Sequence, residues 1–249
     1  CAGINHMSFY QKITKISTGE DLYPRLKKFG FDVINDKKVS SRTNRIEDSG
    51  KHLHEKVRYE ILNRFGYFVT ESSEHFAEYV PWFIKSGRND LIDKYKIPID
   101  EYIDRCNFYE NLWINLEKDI SQIADQEIKR SNEYASFIMD GFTNNNPIII
   151  YANVMNNGLI ENLPTNCCVE VPCKIDGSGF IPQKIGKLPE HLSALMRTNV
   201  NVQILTAEAA LTKKREHIYH AALLDPLTSS NLSIDEIYSM VDELIEAHG

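Results

Sequence analysis

Long hydrophobic runs are missing from this 249-residue chain. No apolar stretch approaches the ~20 residues that a membrane-spanning helix needs, and the mean hydropathy is −0.36. Positive charge is also short. Lys and Arg number 28 against 35 Asp and Glu, for a net charge of −7 and a pI near 5.6. Nucleic-acid and membrane-surface binders both need a basic face, so the balance argues against each. Gly (12) and Pro (9) are too few for a linker or a collagen-like array. The five cysteines, Cys1, Cys106, Cys167, Cys168 and Cys173, are odd in number and form no CxxC pair. With no targeting pattern, this usage fits a reducing cytoplasm better than a disulfide scaffold. Zinc would want paired thiolates or thiolate–His pairs at short spacing, so Cys167, Cys168 and Cys173 read as strand packing. There is no GxGxxG, P-loop, GxSxG or HExxH, and hence no self-sufficient catalytic motif.

What is present belongs to a globular protein. Aromatics at 10% and charged residues at 25% exclude a disordered or fibrous chain. The length suffices for a sizeable core, as one large domain or two small ones. The chain opens CAGINHMSFY, a strand-like run from the first residue, which suggests that sequence precedes it. Residues 1–16 read as a strand pair or a strand plus turn, with QKITKI continuing the alternation. A short helix is expected around DLYPRLKKFG, then a loop or lid over 32–51. Leu53, Val57, Ile61, Leu62 and Phe65 have the spacing of an amphipathic helix ended by Gly66. Further helices are expected at 99–123, 132–142 and 190–223, the last broken near Thr212, and at the carboxyl end. There Ser233 and Glu236 have capping-box spacing. PIIIYANVMNNG and CCVEVPCKIDGSG read as strands, the second closed by a DGSG turn. Helices dominate and the strands are not in βαβ order, so the fold class is α+β, helix-rich with a small mixed or antiparallel sheet.

Three segments could carry chemistry. Asn5 and His6 lie in GINHM; a His in a short apolar run reads first as a core residue, since one imidazole never makes a metal site alone. The run Tyr67–Phe83 brings Glu71, Glu74, His75 and Glu78 together with Tyr67, Tyr79 and Trp82. These groups could bind a cation, shuttle protons or stack on a sugar ring; they could equally be a polar loop packed by its aromatics. The Asn-rich stretch 153–164 reads as turn chemistry, although amides also hold sugar hydroxyls.

At CAGINHMSFY, VRYEILNRFGYFVTESSEHFAEYVPWF, NNGLIENLP with CCVEVPC, and IYHAALLDPLTSSNLSIDEIYSMVDELIEAHG, the sequence resembles the family 4 glycoside hydrolases of melibiase α-galactosidase type. The resemblance spans almost the whole chain and is weakest over 27–50. It implies the carboxyl-terminal domain of a fold like that of lactate and malate dehydrogenases, with residues 1–249 as one substrate- and metal-binding domain. The NAD-binding Rossmann domain and the family's metal-binding Cys would lie upstream of Cys1, and a short tail beyond Gly249. NAD and a divalent metal, usually manganese, are the implied cofactors. The implied reaction oxidises the sugar at C3, removes the C2 proton, eliminates the glycosidic oxygen and adds water. By residue, the resemblance makes His6 the metal ligand, Asn5 a substrate contact and Tyr67 the C2 base. It implies an unphosphorylated α-galactoside as substrate, a cytoplasmic location and a homo-oligomer with long helices 99–123 and 190–223 as interfaces. Two alternatives remain: a domain that is only structural or oligomerising and inactive as this chain, and a family member acting on another α- or β-glycoside.

Overall fold

The computed structural model describes residues 1–35, 55–123 and 133–248. It opens with a hairpin, β1 (Ala2–Ile4) and β2 (Met7–Tyr10), in which Ile4 faces Met7 across the two-residue turn Asn5–His6. QKITKI does not extend the hairpin as a strand. Ile16 is fully exposed, and only Thr14 makes an isolated bridge, to Asp21. The alternation of Ile and Thr is there, but the open edge of β2 is taken by another segment. Helix α1 (Tyr23–Ile34) starts with Pro24, whose fixed φ suits a first turn, and absorbs residues 32–34 of the expected loop. Residues 36–54 lie outside the described residues.

Helix α2 (Lys56–Phe65) ends at Gly66 with φ 82°, and the Gly66 N–H closes onto Leu62 O at 2.9 Å. The chain then pairs with β2 as the two-residue β3 (Phe68–Val69), Phe9 opposite Val69 and Tyr10 opposite Phe68. Three helices follow: α3 (Ser73–Glu78), α4 (Asn89–Tyr95) and the 23-residue α5 (Glu101–Ile123). After α6 (Ala135–Asn144) come β4 (Ile148–Met155), β5 (Cys168–Asp176) and β6 (Gly179–Pro182). The DGSG segment makes the β5–β6 turn, where Asp176 accepts from the Ser178 N–H at 2.9 Å. Strand β6 is too short, with Pro182 at its end, to announce itself in the sequence.

The helical carboxyl part is α7 (Glu190–Thr212), α8 (Arg215–Leu224), α9 (Pro226–Asn231) and α10 (Ile234–His248). The break falls at Lys213, in the left-handed region at φ 57°, beside Thr212 as expected. Before α10, Ser233 N–H donates to Glu236 Oε2 at 2.7 Å and Glu236 N–H to Ser233 Oγ at 3.4 Å, a reciprocal cap.

All strand pairs are antiparallel, in the order β3–β2–β1–β5–β4, with β6 also on β5. The sheet is therefore antiparallel rather than mixed, within a helix-rich α+β fold. Strand β1 lies between β2 and β5, and Gly3 is required there: a Cβ would stand 2.4 Å from Met7 O and 2.6 Å from Ser8 Cα. One apolar cluster joins Ile4, Met7 and Phe9 of the hairpin to Ile61 of α2, Phe76 of α3, Val169 and Val171 of β5, and Leu192 and Met196 of α7. Burying each large side chain contributes ~1.5–3 kcal/mol, which is why the hairpin, three and four residues a strand, holds its place. Cys167 and Cys173 are buried in this core as expected; Cys168 is exposed, because strand alternation turns it to the other face.

Candidate functional site

The site begins with backbone strain. His6 has φ 62°, a left-handed conformation that side chains beyond Cβ disfavour, although His tolerates it better than most. The tight register Ile4–Met7 fixes that turn and presents the imidazole beyond the end of the hairpin. Half-buried, His6 is no satisfied core residue.

What meets it is delivered by β3 and α3. The Thr70 N–H donates to Ser8 O at 3.0 Å, continuing the β2–β3 pairing just past the strand. Glu71 then sets its Oε2 3.7 Å from His6 Nε2, while its Oε1 accepts from the Ser72 N–H at 2.8 Å. Ser72 caps α3, accepting from the His75 N–H. That helix carries His75 and Tyr79 four residues apart, on one face. The His75 ring stacks on His6 with centroids 4.8 Å apart, and Tyr79 leans on it at 5.5 Å. His75 Nδ1 lies 3.4 Å from Glu78 Oε2, which holds the ring from its far side. Asn5, next to His6 in the same turn, is exposed.

Two groups around His6 have shifted proton affinities. Burial raises the Tyr79 phenol above its ordinary value, and the carboxylates of Glu78, Glu71 and Asp225 raise it further. Burial likewise raises Glu170; the Ser8 hydroxyl beside it, the amino terminus and His6 oppose the rise, and the negative charge of Glu71 adds to it. Glu170 enters because β1 pairs with β5, Gly3 opposite Glu170. A Glu inside VEVPC reads as a solvent-facing strand position, so only the long-range pairing reveals it.

Tyr67 sits elsewhere. The β2–β3 register carries it alongside Gln11, five residues along the ribbon from His6, or about 16 Å at the usual rise. Its ring packs on Tyr23 and His191, in a cluster where Phe65 meets Trp82 and His191. The structure thus groups His6, Glu71, His75 and Tyr79, with Asn5 adjacent in the turn, and places Tyr67 and Trp82 in a separate aromatic cluster around Phe65 and His191. The Asn-rich segment is structural: the buried Asn156 donates to Ile160 O at 3.0 Å and accepts from the Ile160 N–H at 2.7 Å.

Among the described residues no group of three or more His, Cys, Asp or Glu is arranged to hold a metal. His6 nevertheless fits as one donor of a larger set. Its Nε2 is too far from Glu71 for a hydrogen bond, and its ring is oriented by the His75 stack. Imidazole nitrogen with carboxylate and hydroxyl oxygens suits a divalent first-row ion.

Over 248 residues the chain is 44% identical to an α-galactosidase of Bacillus subtilis (strain 168), covering 100% of this chain and 54% of that protein. Against an α-galactosidase of Rhizobium meliloti (strain 1021) identity is 32% over 205 residues, 78% of this chain and 41% of the relative. The fold matches lplD of Bacillus subtilis with a TM-score of 0.82 at 21% identity, over 97% of this chain and 54% of that one. It also matches a 6-phospho-α-glucosidase from gut microorganisms, solved in complex with NAD and Mn2+, with a TM-score of 0.69 at 17% identity. That match covers 99% of this chain and 54% of the other. The chain spans about half the length of the relatives it matches. With residues 1–228 matching the family 4 glycosyl hydrolase C-terminal domain, the chain belongs to the family 4 glycosyl hydrolases.

Proposed function

We propose that this chain is the substrate- and metal-binding portion of an α-galactosidase that uses NAD and manganese and acts on unphosphorylated α-galactosides of the melibiose or raffinose type. The observation that carries it is His6, held in a strained turn and stacked on His75 at 4.8 Å, together with 44% identity to an α-galactosidase. When bound, the two cofactors supply oxidation at C3 and polarisation of the neighbouring oxygens, chemistry that no side chain provides. His6 would hold the metal through Nε2, with Glu71 as the nearest carboxylate. The remaining donors come from outside these residues.

The chain's own residues then have simple tasks. Asn5, exposed beside His6, gives and accepts hydrogen bonds with sugar hydroxyls. Tyr67, the position that the family resemblance assigns as the base, takes the C2 proton on its hydroxyl oxygen. Tyr79 is the alternative by proximity, but burial and three carboxylates hold its proton on, which suits a wall better than a base. The rings of His75 and Tyr79 exclude water from one side of His6.

Assembly and location complete the reading. Helix α5 exposes Phe108, Tyr109 and Trp113, more apolar surface than a lone helix keeps in water, so a homo-oligomer is proposed. No helix among the described residues is long and apolar enough to cross a membrane. The cysteine usage suits the cytoplasm. The test is hydrolysis of melibiose by the complete enzyme with and without NAD and manganese. Turnover that needs both is expected; hydrolysis without either would refute the reading.

A further inference from the structure

Beside the His6 site, α3 and the start of α5 enclose a cleft of about 160 Å³. Glu74, His75 and Glu78 line it from α3, and Asp100, Tyr102 and Arg105 from the other side. His75 belongs to both places: its ring stacks on His6 and the residue also lines the cleft. A group seated in the cleft therefore lies against the residue that stacks on the expected metal ligand. Asp100 enters with φ 59°, a second strained residue at this spot, and its carbonyl accepts the Ile103 N–H at 3.0 Å as α5 begins.

A disaccharide needs two places, one for the sugar that is attacked and one for the sugar that leaves. We infer that this cleft binds the leaving sugar, and that Arg105 and Tyr102 set the preference for a disaccharide over a simple galactoside; the inference rests on the α-galactosidase reading. The lining supplies both halves of hydroxyl recognition. Carboxylates accept from sugar O–H groups, and a guanidinium donates to sugar oxygens in a fixed fork. Tyr102, 77% exposed, offers a ring face to the C–H side of a pyranose. Three carboxylates against one guanidinium repel an anion, so the occupant is an uncharged sugar and not a sugar phosphate. The volume, about 160 Å³, suits one small ring.

The experiment compares melibiose with methyl α-galactoside in the complete NAD- and manganese-loaded enzyme, since a methyl group cannot fill the cleft. Arg105→Ala and Tyr102→Ala should each lower kcat/KM for melibiose about tenfold, the worth of one charge-assisted contact, while changing methyl α-galactoside less than about twofold. Arg105→Gln, which keeps a donor, should recover part of the loss. Equal losses on both substrates, or no loss on melibiose, would overturn the assignment. Cleavage of methyl α-galactoside by the unaltered enzyme checks the parent reading separately; failure there overturns both.

Discussion

The imidazoles of His6 and His75 stack at 4.8 Å with their planes 24° apart. One ring stands on the hairpin turn and the other on α3, so the stack ties the two together. Ser72 at the helix cap and Glu78 beside Nδ1 fix His75 in turn. Such supports around a metal-binding His set its orientation and are worth about 10–100-fold in affinity. His6→Ala in the complete enzyme should therefore abolish most manganese binding, and His75→Ala should weaken it about 10–100-fold. Manganese titration by calorimetry checks both, and unchanged affinity in His6→Ala would remove His6 from the ligand set.

Tyr67 and Tyr79 should separate by phenotype. Tyr67→Phe keeps the packing on Tyr23 and His191 and loses only the hydroxyl, so kcat should drop about 10²–10⁴-fold with metal binding intact. Tyr79→Phe, whose ring leans on His6, should alter manganese affinity more than kcat. Exchange of the C2 hydrogen with deuterated solvent decides the matter: wild-type exchange in Tyr67→Phe excludes it as the base.

Gly3 is a packing requirement that can be measured in this chain alone. Gly3→Ala places a Cβ against backbone at 2.4 Å, where no side chain can swing aside. A loss of about 1–3 kcal/mol is expected in urea unfolding. A midpoint equal to wild type would mean that β1 and β2 are not so closely apposed.

Cys167 and Cys168 are chain neighbours on opposite faces. Burial pushes the Cys167 thiol up to about 11, so near pH 8 roughly one part in a thousand is thiolate, while Cys168 is exposed. Iodoacetamide at pH 8 should label Cys168 and spare Cys167, read by peptide mass mapping. Raising the pH toward 11 increases the Cys167 thiolate and should bring its labelling in, as far as the fold survives.

Local chemistry was legible in the sequence. Gly66, the Thr212 break and the Ser233–Glu236 cap each depend on a few consecutive residues, and each stands where the pattern puts it. Asn156 satisfies its own turn for the same reason. Less was readable where distant segments meet. QKITKI alternates like a strand yet makes only the isolated Thr14–Asp21 bridge, and β6 is a strand because β5 offers an edge. His6, Glu71 and His75 are each visible in the sequence, but their meeting depends on the β2–β3 pairing. Glu170 depends on β1 finding β5, which no local window contains.

That last pairing has a consequence for synthesis. Gly3 bonds across to Glu170 only after more than half of the chain has been made. Until β5 emerges from the ribosome, β1 has β2 on one side and an open edge on the other, with its apolar Ala2 and Ile4 uncovered. Contacts so distant along the chain close slowly, and open edges invite pairing with other molecules while they wait. Yield in the cell should therefore depend on chaperone supply and growth temperature more than the finished fold's stability would suggest. The same strand that anchors His6 waits longest for its second neighbour.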